Sequence, residues 1–183
     1  MLMSYILGQL LGIVATIIIV AIPVFRKKWQ MLAATLAGNL LMALNFILIG
    51  QIGSAIWLYF VAIVQTLVSM GHTEKGTKVQ PWEQLLFCAL YVGLGIFGIV
   101  TAPDFVPEIN AANLLEVLPI IGSAMLTFSI FAPNEQTTRI FLLINTTIWS
   151  VYTAIVGSTG FFAEVITTIA TAWALWKYRR KAE

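Results

Sequence analysis

Long apolar runs separated by short polar clusters organise this chain. The runs extend over Ser4–Val24, Gln30–Ile49, Ser54–Met70, Trp82–Thr101, Ala111–Phe131, Thr138–Val156 and Thr159–Tyr178. A helix rises about 1.5 Å per residue, so about 20 apolar residues cross a hydrocarbon core of about 30 Å. The pattern predicts seven transmembrane helices. The breaks carry turn chemistry. Arg26-Lys27-Lys28 ends the first run and Gly50-Gln51-Ile52-Gly53 turns the second into the third. A polar loop over Gly71–Pro81 follows the third, and Pro103-Asp104 with Pro107-Glu108 follows the fourth. Ala132-Pro133-Asn134-Glu135 and Gly157-Ser158-Thr159-Gly160 separate the last three.

The charges orient these helices. With the amino terminus outside, the cytoplasmic segments hold Arg26, Lys27 and Lys28; Lys75 and Lys78; Arg139; and Lys177, Arg179, Arg180 and Lys181. These are all 10 Lys and Arg, while the acidic Asp104 and Glu108 fall in an outer loop. Cytoplasmic enrichment of Lys and Arg is the main determinant of membrane orientation. The expected fold is therefore an all-α integral membrane protein, N-terminus outside and C-terminus cytoplasmic. The first run has a basic cluster after it and none before it, the reverse of a cleavable leader, and reads as a retained helix.

Composition agrees. Of 183 residues, 60% are hydrophobic and only 10% charged, with a mean hydropathy of +0.92. A soluble domain carries about 25% charged residues to solvate its surface, so that class is excluded. The single cysteine, Cys88, allows no internal disulfide and no zinc site of paired thiolates, and reads as a small buried hydrophobe. The chain has no nucleotide-binding loop, no Gly-x-Ser-x-Gly, no His-Glu-x-x-His and no histidine within a span. It is expected to be neither an enzyme nor a nucleic-acid binder, and to use no cofactor or metal. The lone His72 reads as a solvated loop residue.

The halves of the chain echo one another. Gln9-Leu10-Leu11-Gly12 resembles Pro119-Ile120-Ile121-Gly122, and Ile49-Gly50-Gln51-Ile52-Gly53-Ser54 resembles Val156-Gly157-Ser158-Thr159-Gly160-Phe161. Three helices, a linker helix and three more give parallel repeats, a recurring transporter plan. The units are residues 1–70, a first three-helix bundle; 71–110, the cytoplasmic loop, linker helix and outer loop; and 111–183, a second bundle. The linker helix, with only Cys88 and Tyr91 polar in its interior, is expected to connect and not to line a pathway.

Polar groups inside a bilayer are costly and usually face a cavity or a partner. The other six helices carry polar or aromatic stripes, including Asn39 and Asn45 in the second and Trp57 in the third. Asn145, Trp149 and Tyr152 mark the sixth, and Glu116 and Glu164 lie at similar depth in the fifth and seventh. Either glutamate serves as a substrate or proton-coupling group, or it hydrogen-bonds a neighbouring helix for packing. The asparagines bind a ligand or hold helices together. The tryptophans stack on a ring or belong to an interfacial belt, as Trp29, Trp82, Trp173 and Trp176 do near the cytoplasmic surface. Pro119, one turn after Glu116, removes a helix N–H and marks a hinge or a kink.

The stretch Glu116-Val117-Leu118-Pro119-Ile120-Ile121-Gly122, with Arg139, Trp149, the Gly-rich turn and Glu164 after it, resembles the YgjV family of bacterial inner-membrane proteins. That family is similar in plan to the MtN3/SWEET sugar and PnuC vitamin transporters, which join three-helix repeats through a linker helix. The resemblance implies a multi-pass protein of the bacterial inner (cytoplasmic) membrane, with a solute pathway between the triplets. Related proteins of that plan assemble as dimers or trimers, which leaves a homo-oligomer open here. Unlike the SWEET pattern, this chain has no proline inside the second or sixth helix. The expected function is transport of a small polar solute of the sugar, nucleoside or vitamin class. Its site would comprise Asn39, Asn45, Trp57, Glu116, Asn145, Trp149, Tyr152 and Glu164. The alternative is a non-transporting membrane receptor or scaffold with the same fold.

Overall fold

The computed structural model describes residues 2–49, 54–101, 115, 117–156 and 160–178. Among them it has seven α-helices and no strand: α1 (Leu2–Ala21), α2 (Lys28–Leu48), α3 (Ser54–Lys75), α4 (Pro81–Val100), α5 (Val117–Ile130), α6 (Glu135–Val156) and α7 (Gly160–Tyr178). A 3-10 turn at Ile22–Val24 prolongs α1. Three segments of the described residues are long and apolar enough to cross a membrane: Met3–Val24, Lys28–Leu48 and Pro81–Val100. Glu116 and the outer loop with Asp104 and Glu108 lie outside the described residues.

The helix ends follow from local chemistry. Asn134 Oδ1 accepts the Thr137 N–H at 2.9 Å and caps α6, and Glu83 Oε2 accepts the Gln80 N–H at 2.6 Å before α4. The third helix runs one turn past the expected Met70. Gly76, at φ +63°, stops it: Thr77 N–H bonds to His72 O at 3.0 Å and Gly76 N–H to Thr73 O at 3.4 Å, a Schellman ending that needs a left-handed residue. His72 is thus in the last turn of a helix and not in a free loop. Its Nδ1 meets Thr77 Oγ1 at 2.7 Å and its Nε2 meets Glu83 Oε1 at 3.0 Å.

Consecutive helices pack in sequence. α2 lies against α1 and α3, α6 lies against α5 and α7, α4 sits between α3 and α5, and α7 closes back on α1 and the 3-10 turn. The α1–α2 and α5–α6 pairs each use a glycine where they cross. A Cβ on Gly12 would fall 2.9 Å from Asn45 Nδ2, and one on Gly122 would fall 2.8 Å from Trp149 Nε1. Small residues of this kind let helix backbones approach closely inside a bilayer.

Polarity is inverted relative to a soluble domain. Ile13, Ile17, Leu85, Phe97, Phe162 and Ile169 point outward, whereas Gln65, Thr66, Thr127 and Thr171 are fully buried. The threonines stay satisfied by donating to the carbonyl four residues earlier, as Thr66 does to Ala62 O at 2.6 Å. An apolar exterior of this extent suits lipid and not water.

The basic residues gather at one end. Arg139, only 2% exposed, donates from Nε to Pro23 O at 2.9 Å and from Nη2 to Phe25 O at 2.6 Å. Its guanidinium lies 4.7 Å from the Tyr178 ring centroid, and Tyr178 Oη donates to Val24 O at 3.2 Å. Lys28 donates from Nζ to Ser129 O at 2.9 Å and to Thr138 Oγ1 at 2.7 Å, and its backbone N–H bonds to Glu135 Oε1 at 2.9 Å. Ser69 Oγ donates to Ile130 O at 2.7 Å, which brings the end of α3 to the same level.

Candidate functional site

A cavity of about 220 Å³ lies among the helices. Lys28, Ser129 and Thr138 line its basic end. Asn39, eleven residues further along α2, stands about 16 Å deeper, and Trp149 is as far from Thr138 along α6. Glu164 of α7 and Tyr59 of α3 also line it, and Asn145 lies one turn from Trp149 on the same face of α6.

Of the residues singled out from sequence, Asn39, Asn145, Trp149 and Glu164 share this one cavity. Asn145 is anchored by its Nδ2, which donates to Gly122 O at 2.7 Å. Among the described residues no basic side chain makes an ion pair with Glu164. Asn45, Trp57, Tyr152 and Pro119 are elsewhere, and Glu116 lies outside the described residues. Asn45 donates from Nδ2 to Gly8 O at 2.7 Å and ties α2 to α1. Trp57 is 55% exposed, with its ring 6.3 Å from that of Phe60. Tyr152 packs its ring edge-on to Trp149 at 5.7 Å and does not itself line the cavity. Pro119 is half-buried in α5, also off the lining.

Three contributors were not anticipated. The linker helix α4, expected only to connect, supplies Tyr91, whose Oη donates to the fully buried Gln65 Oε1 at 3.2 Å. Tyr91 was visible as a polar residue in an otherwise apolar span; its direction was not. Tyr59 lay within an apolar run of α3 with nothing to distinguish it. Lys28 reads in sequence as one of three loop cations, and only its cross-chain partners draw it inward.

Chemically, the lining combines aromatic and aliphatic walls with two amides, hydroxyls, one carboxyl group and, at the basic end, the Lys28 amine. Such a surface is of the kind that offers a compact molecule a few hydrogen bonds and apolar contact. Among the described residues no group of His, Cys, Asp and Glu is placed to hold a metal ion.

No curated protein and no solved structure matches the chain. The model of a family described as bacterial inner membrane protein, Imp-YgjV, matches residues 6–182. An inside-out bundle with membrane-length apolar helices is what that description requires, and the chain belongs to the YgjV family of bacterial inner membrane proteins.

Proposed function

We propose that this protein is a small-solute transporter whose site is the cavity between its first three and last three helices. The observation that carries this reading is the convergence of Asn39, Asn145, Trp149 and Glu164 on one cavity in a lipid-facing bundle. Intramembrane polar groups are expensive, and their gathering around a cavity is the usual mark of a solute path. Asn39 and Lys28 come from the first triplet, Asn145, Trp149 and Glu164 from the second, so relative movement of the halves would open and close the site.

In this reading the chain is a 3+1+3 assembly with its N-terminus outside and its C-terminus in the cytoplasm. The parallel tethers of the halves support the repeat: Asn45 bonds to Gly8 of its first helix, Asn145 to Gly122 of its own. The gathering of Lys28, Arg139 and Lys177 near Tyr178 and α6 supports a single cytoplasmic face. Solute movement then follows a gradient, with Glu164 as the group able to couple a proton.

The test is thermal stability of the purified protein against sugars, nucleosides, vitamins and amines, with Glu164→Gln alongside. A ligand bound only by the folded state raises its melting temperature by mass action. A shift for one class, lost in Glu164→Gln and followed by uptake into liposomes, is the expected result. No shift for any class, with Glu164→Gln as stable as the parent, would reject the site. A second reading, a binding protein that does not transport, draws on the Lys28 and Arg139 ties, which lock the two halves together at the basic end. Binding without uptake would favour it.

A further inference from the structure

Most polar groups around the cavity have already given their hydrogens to the protein. Thr35 Oγ1 donates to Met31 O at 2.9 Å, Tyr91 Oη to Gln65 Oε1 at 3.2 Å, and Asn145 Nδ2 to Gly122 O at 2.7 Å. What these groups retain is mainly acceptor capacity: hydroxyl lone pairs and the amide oxygen of Asn145, beside that amide's second N–H. Asn39 is the opposite case. Its side chain is only 8% exposed and lines the cavity, yet Nδ2 has no hydrogen-bond partner among the described residues. Native proteins leave few buried donors unpaired, because desolvation of the N–H is then uncompensated. The neighbouring Asn45, on the same helix, has its Nδ2 engaged by Gly8 O.

We propose that Asn39 is the specificity-determining donor of this site, and that its substrate is a compact neutral solute with a carboxamide or urea-type head. This rests on the cavity being a solute site. The head's carbonyl oxygen accepts the free Asn39 N–H. Its own N–H groups meet the acceptors that Asn145, Thr35 and Tyr91 retain. A protonated amine offers Asn39 no acceptor, and a carboxylate offers the remaining acceptors no hydrogen. The body of the solute lies against Trp149, Tyr59 and Leu126. The volume of about 220 Å³ is below the ~300–1,000 Å³ of ordinary ligand pockets, which sets the compact size.

Four probes with one ring and different heads separate these chemistries: benzamide, benzylamine, benzoate and benzyl alcohol. Each is added to the full-length protein in nanodiscs, as wild type, Asn39→Leu, Asn45→Leu and Glu164→Gln, and the melting temperature is read. Benzamide is expected to raise the wild-type value most. Asn39→Leu should bind benzamide at least tenfold more weakly, yet melt at or above the wild-type temperature, because leucine of similar size removes an unpaired donor. Asn45→Leu should melt lower and keep the benzamide shift. An Asn39→Leu protein that melts as low as Asn45→Leu, or that keeps the full shift, would show Asn39 to be a packing residue and overturn the proposal. A shift by another probe alone, lost in Glu164→Gln, would overturn the amide assignment and leave the solute site standing. Silence from all four probes, with Glu164→Gln unperturbed, would overturn both.

Discussion

Replacing Arg139 with methionine removes a cation that is only 2% exposed from its two backbone carbonyls. The guanidinium holds two carbonyls, Pro23 O and Phe25 O, that the end of α1 leaves without helical donors, and it lies over the Tyr178 ring. Hydrogen bonds to a charged group contribute about 1.5–3 kcal/mol each, and a cation over an aromatic face adds about 0.5–2 kcal/mol. Against this stands the desolvation of the guanidinium, several kcal/mol, which the substitution relieves. Methionine also keeps much of the apolar packing. The net destabilisation is therefore about 2–4 kcal/mol. For a chain of this size that lowers the melting temperature by roughly 5–15 °C. Intrinsic tryptophan fluorescence during heating in nanodiscs gives the readout. Lys27→Met is the control, because Lys27 is exposed and makes none of these contacts. Arg139→Lys should fall between the two, since an ammonium cannot serve both carbonyls with a planar fork. If Arg139→Met melts within 1–2 °C of Lys27→Met, the two carbonyls are held by something other than the guanidinium and the reasoning fails.

Other expectations follow from the geometry. Gly122→Val drives a side chain into Trp149 Nε1 and Cδ1, which stand 2.8 and 3.0 Å from an ideal Cβ. It should destabilise the bundle by about 1–3 kcal/mol. Gly71→Ala meets nothing within 4 Å and should be neutral or gain up to about 1 kcal/mol from helix propensity; equal melting temperatures for the two variants would contradict the packing. Gly76→Ala forces a side chain into the left-handed region at φ +63° and should lose about 1–2 kcal/mol, read in the same fluorescence melt. Orientation is testable by labelling: in a Cys88→Ser background, Lys78→Cys should react with an impermeant maleimide only after spheroplasts are opened. Labelling of intact spheroplasts would invert the proposed topology.

What the sequence determines here is local. Run length and hydropathy specify helices, and Asn134, Pro81, Glu83 and Gly76 specify where they start and stop, because caps and turns involve residues a few positions apart. Lipid embedding is equally legible, since 60% hydrophobic residues cannot solvate a surface. Part of the cavity was legible too. Asn145 and Trp149 are four residues apart, on one helix face, and both reach it. The same periodicity separates Asn39 from Asn45. Six residues turn a helix through about 240° beyond a full turn, so one faces the cavity while the other faces α1. Which of the two does so depends on where α1 packs, and no spacing within α2 contains that information.

The tertiary structure alone decided the rest. Lys28 and Arg139 sit in the sequence among charges that mark a membrane face, yet their partners lie more than a hundred residues away, at Ser129, Thr138, Pro23 and Phe25. Tyr91 looks idle in an apolar linker until α4 lodges between α3 and α5 and aims it at Gln65. The vacant donor of Asn39 is likewise a property of its surroundings, since any asparagine carries the same amide. Periodicity and composition report how a residue relates to its own helix and to the solvent. Pairing across helices depends on which faces meet when the bundle closes, and that is set by packing the whole chain at once.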